Sequence, residues 1–203
     1  MANKVFNMAG GLHSAAAYSA FEDAVYGSCV ADADSYAVSA GTGMNVTIAT
    51  GNGLISTGTG FARRIQSDTT NTVAISAAST ANPRIDAIVA YIDNSVTPTT
   101  DVTDNTNNIL KFKAVSGTPA ASPSRPSESA IQSGVGAGNP YMVLCYVTVP
   151  QNATTISTGT FADVRKTAQD VFQESGVNLI LSTTDIGEGA DLPANTLYCV
   201  YED

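Results

Sequence analysis

Acid–base or nucleophilic chemistry in this chain would have to run through very few residues. His13 is the only histidine, and Cys29, Cys145 and Cys199 are the only cysteines. A Ser-His-Asp or Cys-His arrangement would therefore have to use His13, which stands beside Ser14 in a stretch with helical spacing. A helix-surface histidine is the simpler account. The cysteine spacings match no zinc or redox motif, so no metal or cofactor is expected and the thiols are read as buried.

Carboxylates offer more. Asp101, Asp104 and Asn105 lie in the polar run 93–108, where clustered oxygens would suit a calcium ion or a sugar hydroxyl. The run lacks the glycine and terminal glutamate of an EF-hand loop. Asp185, Glu188 and Asp191 invite the same reading. Glycan hydrolysis needs two acids across a cleft; both runs read more simply as solvated turns, and no enzymatic activity is expected. The glycine groups at 51–53, 58–60 and 134–138 border extended segments, and no lysine follows them as in a phosphate loop. They are read as hairpin turns.

Arg84-Ile85-Asp86 differs from these. In a strand, Arg84 and Asp86 share one face and Ile85, Ala87 and Val89 the other. An ionic pair on an apolar strand must be hydrogen-bonded, because an isolated buried charge costs several kcal/mol. Asp163-Val164-Arg165 repeats the pattern in reverse order. These four residues are expected to form structural ion pairs, with Asp86 meeting Arg165 and clamping the late segment onto the strand of Arg84.

The elements that must position these residues show two periods. Residues 11–26 have helical spacing, with Leu12, Tyr18, Phe21 and Val25 on a loose apolar stripe ended by Gly27. That stripe needs cover from the body or from a second subunit, and the four residues are the expected oligomer interface. From Tyr36 the period is two. Met44, Val46 and Ile48 alternate with polar residues, Gly51-Asn52-Gly53 suggests a turn, and Leu54-Ile55-Ser56 resumes the run as the second strand of a hairpin. Further strands are expected at 72–76, 84–93, 109–115 and 141–149. The proline-bearing segment 116–127 is expected to cross the surface in extended form, and 133–140 to be a glycine-rich loop. Two late apolar stretches, 177–181 and 196–201, look like a terminal hairpin, or two strands that complete a neighbour's sheet. The fold class is mainly β, an antiparallel β-sandwich or small barrel with a short N-terminal helix and a C-terminal β-hairpin. The organisation is an arm and helix at 1–35, the β module at 36–168 and docking strands at 169–203.

Composition narrows the partners. The 203 residues carry a formal net charge of −9 with only nine Lys and Arg, and charged residues make up 13%. Phosphate binding needs clustered cations, so nucleic acid is excluded as an expected partner. No apolar run is long enough to span a bilayer, and no membrane association is expected. Serine, threonine, alanine, glycine and asparagine take the place of charge. Such a surface desolvates at low cost when many copies pack together.

Several segments, taken in order, point to a family. Gly43-Met44-Asn45-Val46-Thr47-Ile48-Ala49-Thr50-Gly51-Asn52-Gly53-Leu54-Ile55 is followed by Arg84-Ile85-Asp86-Ala87-Ile88-Val89 and by Gly117-Thr118-Pro119-Ala120-Ala121-Ser122-Pro123. Tyr141–Pro150, Ala153–Ile156 and Asp163–Arg165 then keep the same order. Over roughly residues 10–168 the chain resembles the N-terminal module of baseplate and tail-fibre proteins from bacteriophages of Gram-positive bacteria. The resemblance implies a virion structural protein, homo-oligomeric and often trimeric, that joins tail or baseplate to a receptor-binding part. Its partners would be copies of itself and other virion proteins, with a host cell-surface glycan as a further candidate. Little chain follows Arg165, so an adaptor, a baseplate shell subunit, or a capsid decoration or head-fibre protein is expected rather than a full fibre. A carbohydrate-binding receptor module using Tyr91, Tyr141 and Tyr146 is the alternative.

Overall fold

The computed structural model describes residues 15–58, 60–96, 109–157, 160–174, 178–182 and 196–200. In chain order the elements are α1 (Ala15–Tyr26), β1 (Cys29–Val30), β2 (Val38–Ala40), β3 (Asn45–Ile48), β4 (Gly51–Ser56), β5 (Ala62–Ser67) and β6 (Asn71–Ala74). They continue with β7 (Arg84–Ile92), β8 (Leu110–Val115), α2 (Glu128–Val135), β9 (Tyr141–Val149), β10 (Phe161–Asp163), α3 (Ala168–Glu174), β11 (Asn178–Ser182) and β12 (Thr196–Val200). The strands form three antiparallel sheets, β1-β4-β5, β2-β3-β6 and β10-β9-β7-β8, and a parallel pair, β11-β12. The chain is a mainly β protein of sandwich type.

The four-stranded sheet organises the rest because both of its faces are covered. Ile88, Ala90 and Ile92 on β7 join Leu144, Val147 and Val149 on β9 in the main core, against Val46, Ile48, Ile55 and Ile65 of the two three-stranded sheets. On the opposite face Ala87, Val89 and Val115 pack against Ile131 and Val135 of α2. Coverage on both sides explains why β7 reads as a nearly unbroken apolar run rather than an alternation. The β9 register slips between the partners of Ile88 and Val89, which are Cys145 and Val143. Leu144 is the extra residue, and both Leu144 and Cys145 are buried in the main core. This bulge reverses the alternation along β9 midway.

Two sequence expectations are overturned here. Residues 44–56 do not form a hairpin: β3 pairs with β2 and β6, whereas β4 pairs with β1 and β5. Gly51 and Gly53 lie inside β4 because other backbone passes close by. A Cβ at Gly51 would stand 2.6 Å from the Tyr36 nitrogen, and one at Gly53 would stand 2.7 Å from the Cys29 carbonyl oxygen. Close approach, not a turn, requires glycine at both positions. At the other end, β11 and β12 run parallel, with Asn178 opposite Thr196 and Ser182 opposite Val200. A hairpin would make them antiparallel.

The helices also differ from expectation. The 133–140 stretch is the end of α2 and the turn that follows it, not a loop throughout. Ser127 caps α2 by accepting from the Ala130 N–H at 3.2 Å, and Gly136, at φ 101°, ends it with its N–H donating to Gln132 O. Gly134 is inside the helix because a Cβ there would meet the Val115 side chain at 2.8 Å. The 116–127 crossing holds neither helix nor strand, with a bend at 121–122.

Candidate functional site

Arg84 and Asp86 are both buried, at 4% and 0% relative exposure, on the core-facing side of β7. Two residues apart on one strand, they reach each other directly. Arg84 Nε donates to Asp86 Oδ1 at 2.8 Å and to Oδ2 at 3.1 Å. The remaining Arg84 donors go to the Ala77 carbonyl at 2.7 Å and the Ser76 carbonyl at 2.5 Å. Asp86 Oδ1 also accepts the Gly117 N–H at 3.0 Å. One ion pair thus ties β7 to the segment after β6 and to the start of the 116–127 crossing. At Gly117 a Cβ would fall 2.1 Å from the Ile85 carbonyl oxygen, so only glycine lets this crossing sit against β7.

The expected Asp86–Arg165 clamp is therefore not formed. Arg165 pairs with its own neighbour, Asp163, through Nε to Oδ1 at 3.0 Å and Nη2 to Oδ2 at 2.6 Å. Its third contact is Nη1 donating to the Ser35 carbonyl. Asp86 is already satisfied by Arg84 and Gly117, which leaves no geometric reason for a second arginine. The late segment is still clamped, but to the loop before β2. The Arg165 side chain holds the Asp163 carboxyl below the usual carboxylate range. On the same loop Asp32 accepts the backbone N–H groups of Ser35 and Asp34 at 2.8 and 3.0 Å, and those bonds lower its pKa too.

The α2 side of the four-stranded sheet carries three tyrosines and three cations. Tyr91 and Tyr141 are direct cross-strand partners on β7 and β9, and together with Tyr146 they pack at the margin of the Ala87–Ile131 cluster, half-buried. Arg125 lies over the Tyr146 ring, 4.3 Å from its centroid, a cation–π arrangement. Lys111 and Lys113 alternate with Val115 on β8 and so share its α2-facing side. Lys113 Nζ donates to the Gly134 carbonyl at 2.5 Å. Burial raises the pKa of Tyr91 and Tyr141, with Asp93 and Glu128 respectively adding to the effect.

Of the expected interface residues, Leu12 and the side chains of Tyr18 and Phe21 lie outside the described residues, and Val25 is half-buried. The helix carrying them rests on its own chain: Ser19 donates to the Ala62 carbonyl and Arg64 pairs with Glu22, both at the β5 edge. Asp101, Asp104 and Asn105 lie outside the described residues, as do Asp185, Glu188 and Asp191. Cys29 and Cys145 are buried free thiols, as read, and burial pushes Cys145 up to about 11; the Cys199 side chain is outside the described residues. Arg125, Lys111 and Lys113 escaped the sequence reading. A signal for their face existed in Ser127 as a cap and in Ile131 and Val135 one helical turn apart, which together mark α2.

Among the described residues no helix is long and apolar enough to cross a membrane, and no cluster of three or more His, Cys, Asp and Glu could hold a metal ion. The fold and these sites define a β-sandwich braced by internal ion pairs, with one helix-covered sheet face rich in tyrosine and cations. Comparison with protein-family models, curated proteins and solved structures finds no match to the chain.

Proposed function

We propose that the chain is a bacteriophage virion structural protein, a homo-oligomeric tail, baseplate or fibre-base component acting in assembly and host attachment. One observation carries the reading. The segments on which the family resemblance rests are those that brace the sandwich: 43–55 supplies β3 and β4, 84–89 supplies the buried ion pair, Gly117 opens the crossing held by Asp86, and Asp163–Arg165 fixes the late segment to Ser35. A resemblance confined to loops would carry much less weight, because these residues are coupled to one another through backbone contacts. The low-charge, hydroxyl-rich composition fits a subunit that packs in many copies.

The test is twofold. Sedimentation of the purified chain should give one defined oligomer, and mass spectrometry with gold-labelled antibody on purified phage particles should place the chain in the virion. A monomer at high concentration together with absence from particles refutes the reading. A carbohydrate-binding module is the second reading, favoured by the clustering of Tyr91, Tyr141 and Tyr146 on one sheet face. Saturable binding to host wall polysaccharide, lost when Tyr91 and Tyr141 are replaced by alanine, would select it.

A further inference from the structure

The bulge in β9 decides which of its side chains share the α2 side of the sheet. Tyr141, Val143 and Tyr146 pair with Tyr91, Val89 and Ala87, so all three lie on the side of the Ala87–Val89 cluster. Strict alternation from Tyr141 would put Cys145 there and turn Tyr146 into the main core. The extra residue brings Tyr146 outward instead, and bulges that re-aim a side chain recur beside active sites. The result is a strip with half-buried Tyr141 and Tyr146 at its ends and Val143 between them, four β7 positions or about 13 Å long. Its outer border is Ala162, the exposed partner of Tyr146 on the edge strand β10.

Both rings are held in place. Arg125 lies over Tyr146, 4.3 Å from the ring centroid, and the Tyr141 hydroxyl donates to the Glu128 carbonyl at 3.5 Å. Arg125 and Glu128 are themselves exposed, which sets planar guanidinium donors and a carboxylate beside the strip.

We propose that this strip binds an extended, uncharged polysaccharide along β9, through a run of internal sugar rings rather than a chain end. The proposal rests on the carbohydrate-binding reading and gives it a site and a ligand class. Sugar rings present apolar C–H faces to aromatic surfaces and hydroxyls to donors and acceptors, and the strip offers both. Other occupants fit less well. A peptide strand would need a free ladder edge, but β9 is paired on both sides, with β7 and β10. A broad protein surface would meet α2, which rides on β7 and β8 beside the strip. A polyanion would be repelled by a chain of net charge −9 with Asp93 and Glu128 at the Tyr91–Tyr141 end.

Affinity electrophoresis of the full chain in native gels containing laminarin, xylan, galactomannan or dextran tests this, with polygalacturonate as the polyanion and poly-L-proline as the extended peptide. At least one neutral polysaccharide should retard the wild type, and in a titration its hexasaccharide should bind on the order of tenfold or more tighter than its disaccharide. Tyr146→Ala and Ala162→Arg, the second at an exposed edge position, should each weaken that binding on the order of tenfold or more, with circular dichroism showing that both fold. Retardation by a neutral polysaccharide that neither variant weakens overturns the proposal and leaves the carbohydrate-binding reading intact; retardation by none of the probes overturns both. Equal affinity for the two oligosaccharides, or retardation by polygalacturonate or poly-L-proline alone, also overturns it.

Discussion

Replacing Asp86 with alanine should be the most damaging single polar substitution in this chain. The change leaves the Arg84 guanidinium buried at 4% exposure with carbonyl partners but no counter-charge, and it strips the Gly117 N–H of its acceptor. Breaking a buried pair by removing one partner costs about 3–5 kcal/mol. In a chain of this length each kcal/mol corresponds to about 2–4 °C, so Tm should fall by roughly 6–20 °C. Thermal melts followed by circular dichroism, with urea midpoints alongside, give the measurement. Asp86→Asn separates the two losses, since its amide oxygen can still accept from Gly117 while the charge is gone. The double variant Arg84→Met, Asp86→Leu should be less destabilised than the sum of the single variants, because no charge is left unpaired. A drop in Tm under about 2 °C for Asp86→Ala, or strict additivity in the cycle, would refute the account of this pair as the brace of β7.

Three further outcomes follow from the same geometry. Asp163 and Asp32 have folded-state pKa values below their unfolded ones, so their contribution is present above about pH 4, the ordinary carboxylate value, and is lost as pH falls through the lowered values; Asp163→Asn should flatten the acid limb of a Tm-against-pH curve and leave the neutral region parallel to wild type. Cys145 shows the opposite sign: its thiol is raised to about 11, so its contribution is full below the ordinary thiol value and fades as pH rises toward 11, and the native chain should resist alkylation at Cys29 and Cys145 until denaturant is added. Gly117→Ala should destabilise by at least about 1–3 kcal/mol, because the added methyl would stand 2.1 Å from the Ile85 carbonyl oxygen; a urea midpoint equal to wild type would contradict that close approach.

Local rules served where one face met water or where a pair lay within one strand. The alternation at Val46 and Ile48, the strand at 141–149 and the burial of Arg84 with Asp86 were all legible, because each depends on neighbours within a few residues. The failures share a cause: the deciding contact was distant in sequence. Gly51-Asn52-Gly53 has the composition of a turn, yet Ser35, Tyr36 and Cys29 set its conformation. A buried carboxylate needs a cation, but that rule does not say which one, and Arg84, on the same face of the same strand, reaches Asp86 where Arg165 does not. The bulge at Leu144 and Cys145 exists only because β7 fixes the register on both sides of it. The α2 face was missed for a related reason. Its cations come from β8 and the proline-bearing crossing and its tyrosines from β7 and β9, so the face is assembled only when the sheet forms. A surface assembled from separated strands and a crossing carries little local signature, because the side chains that share it are set by sheet register and not by their spacing in the chain.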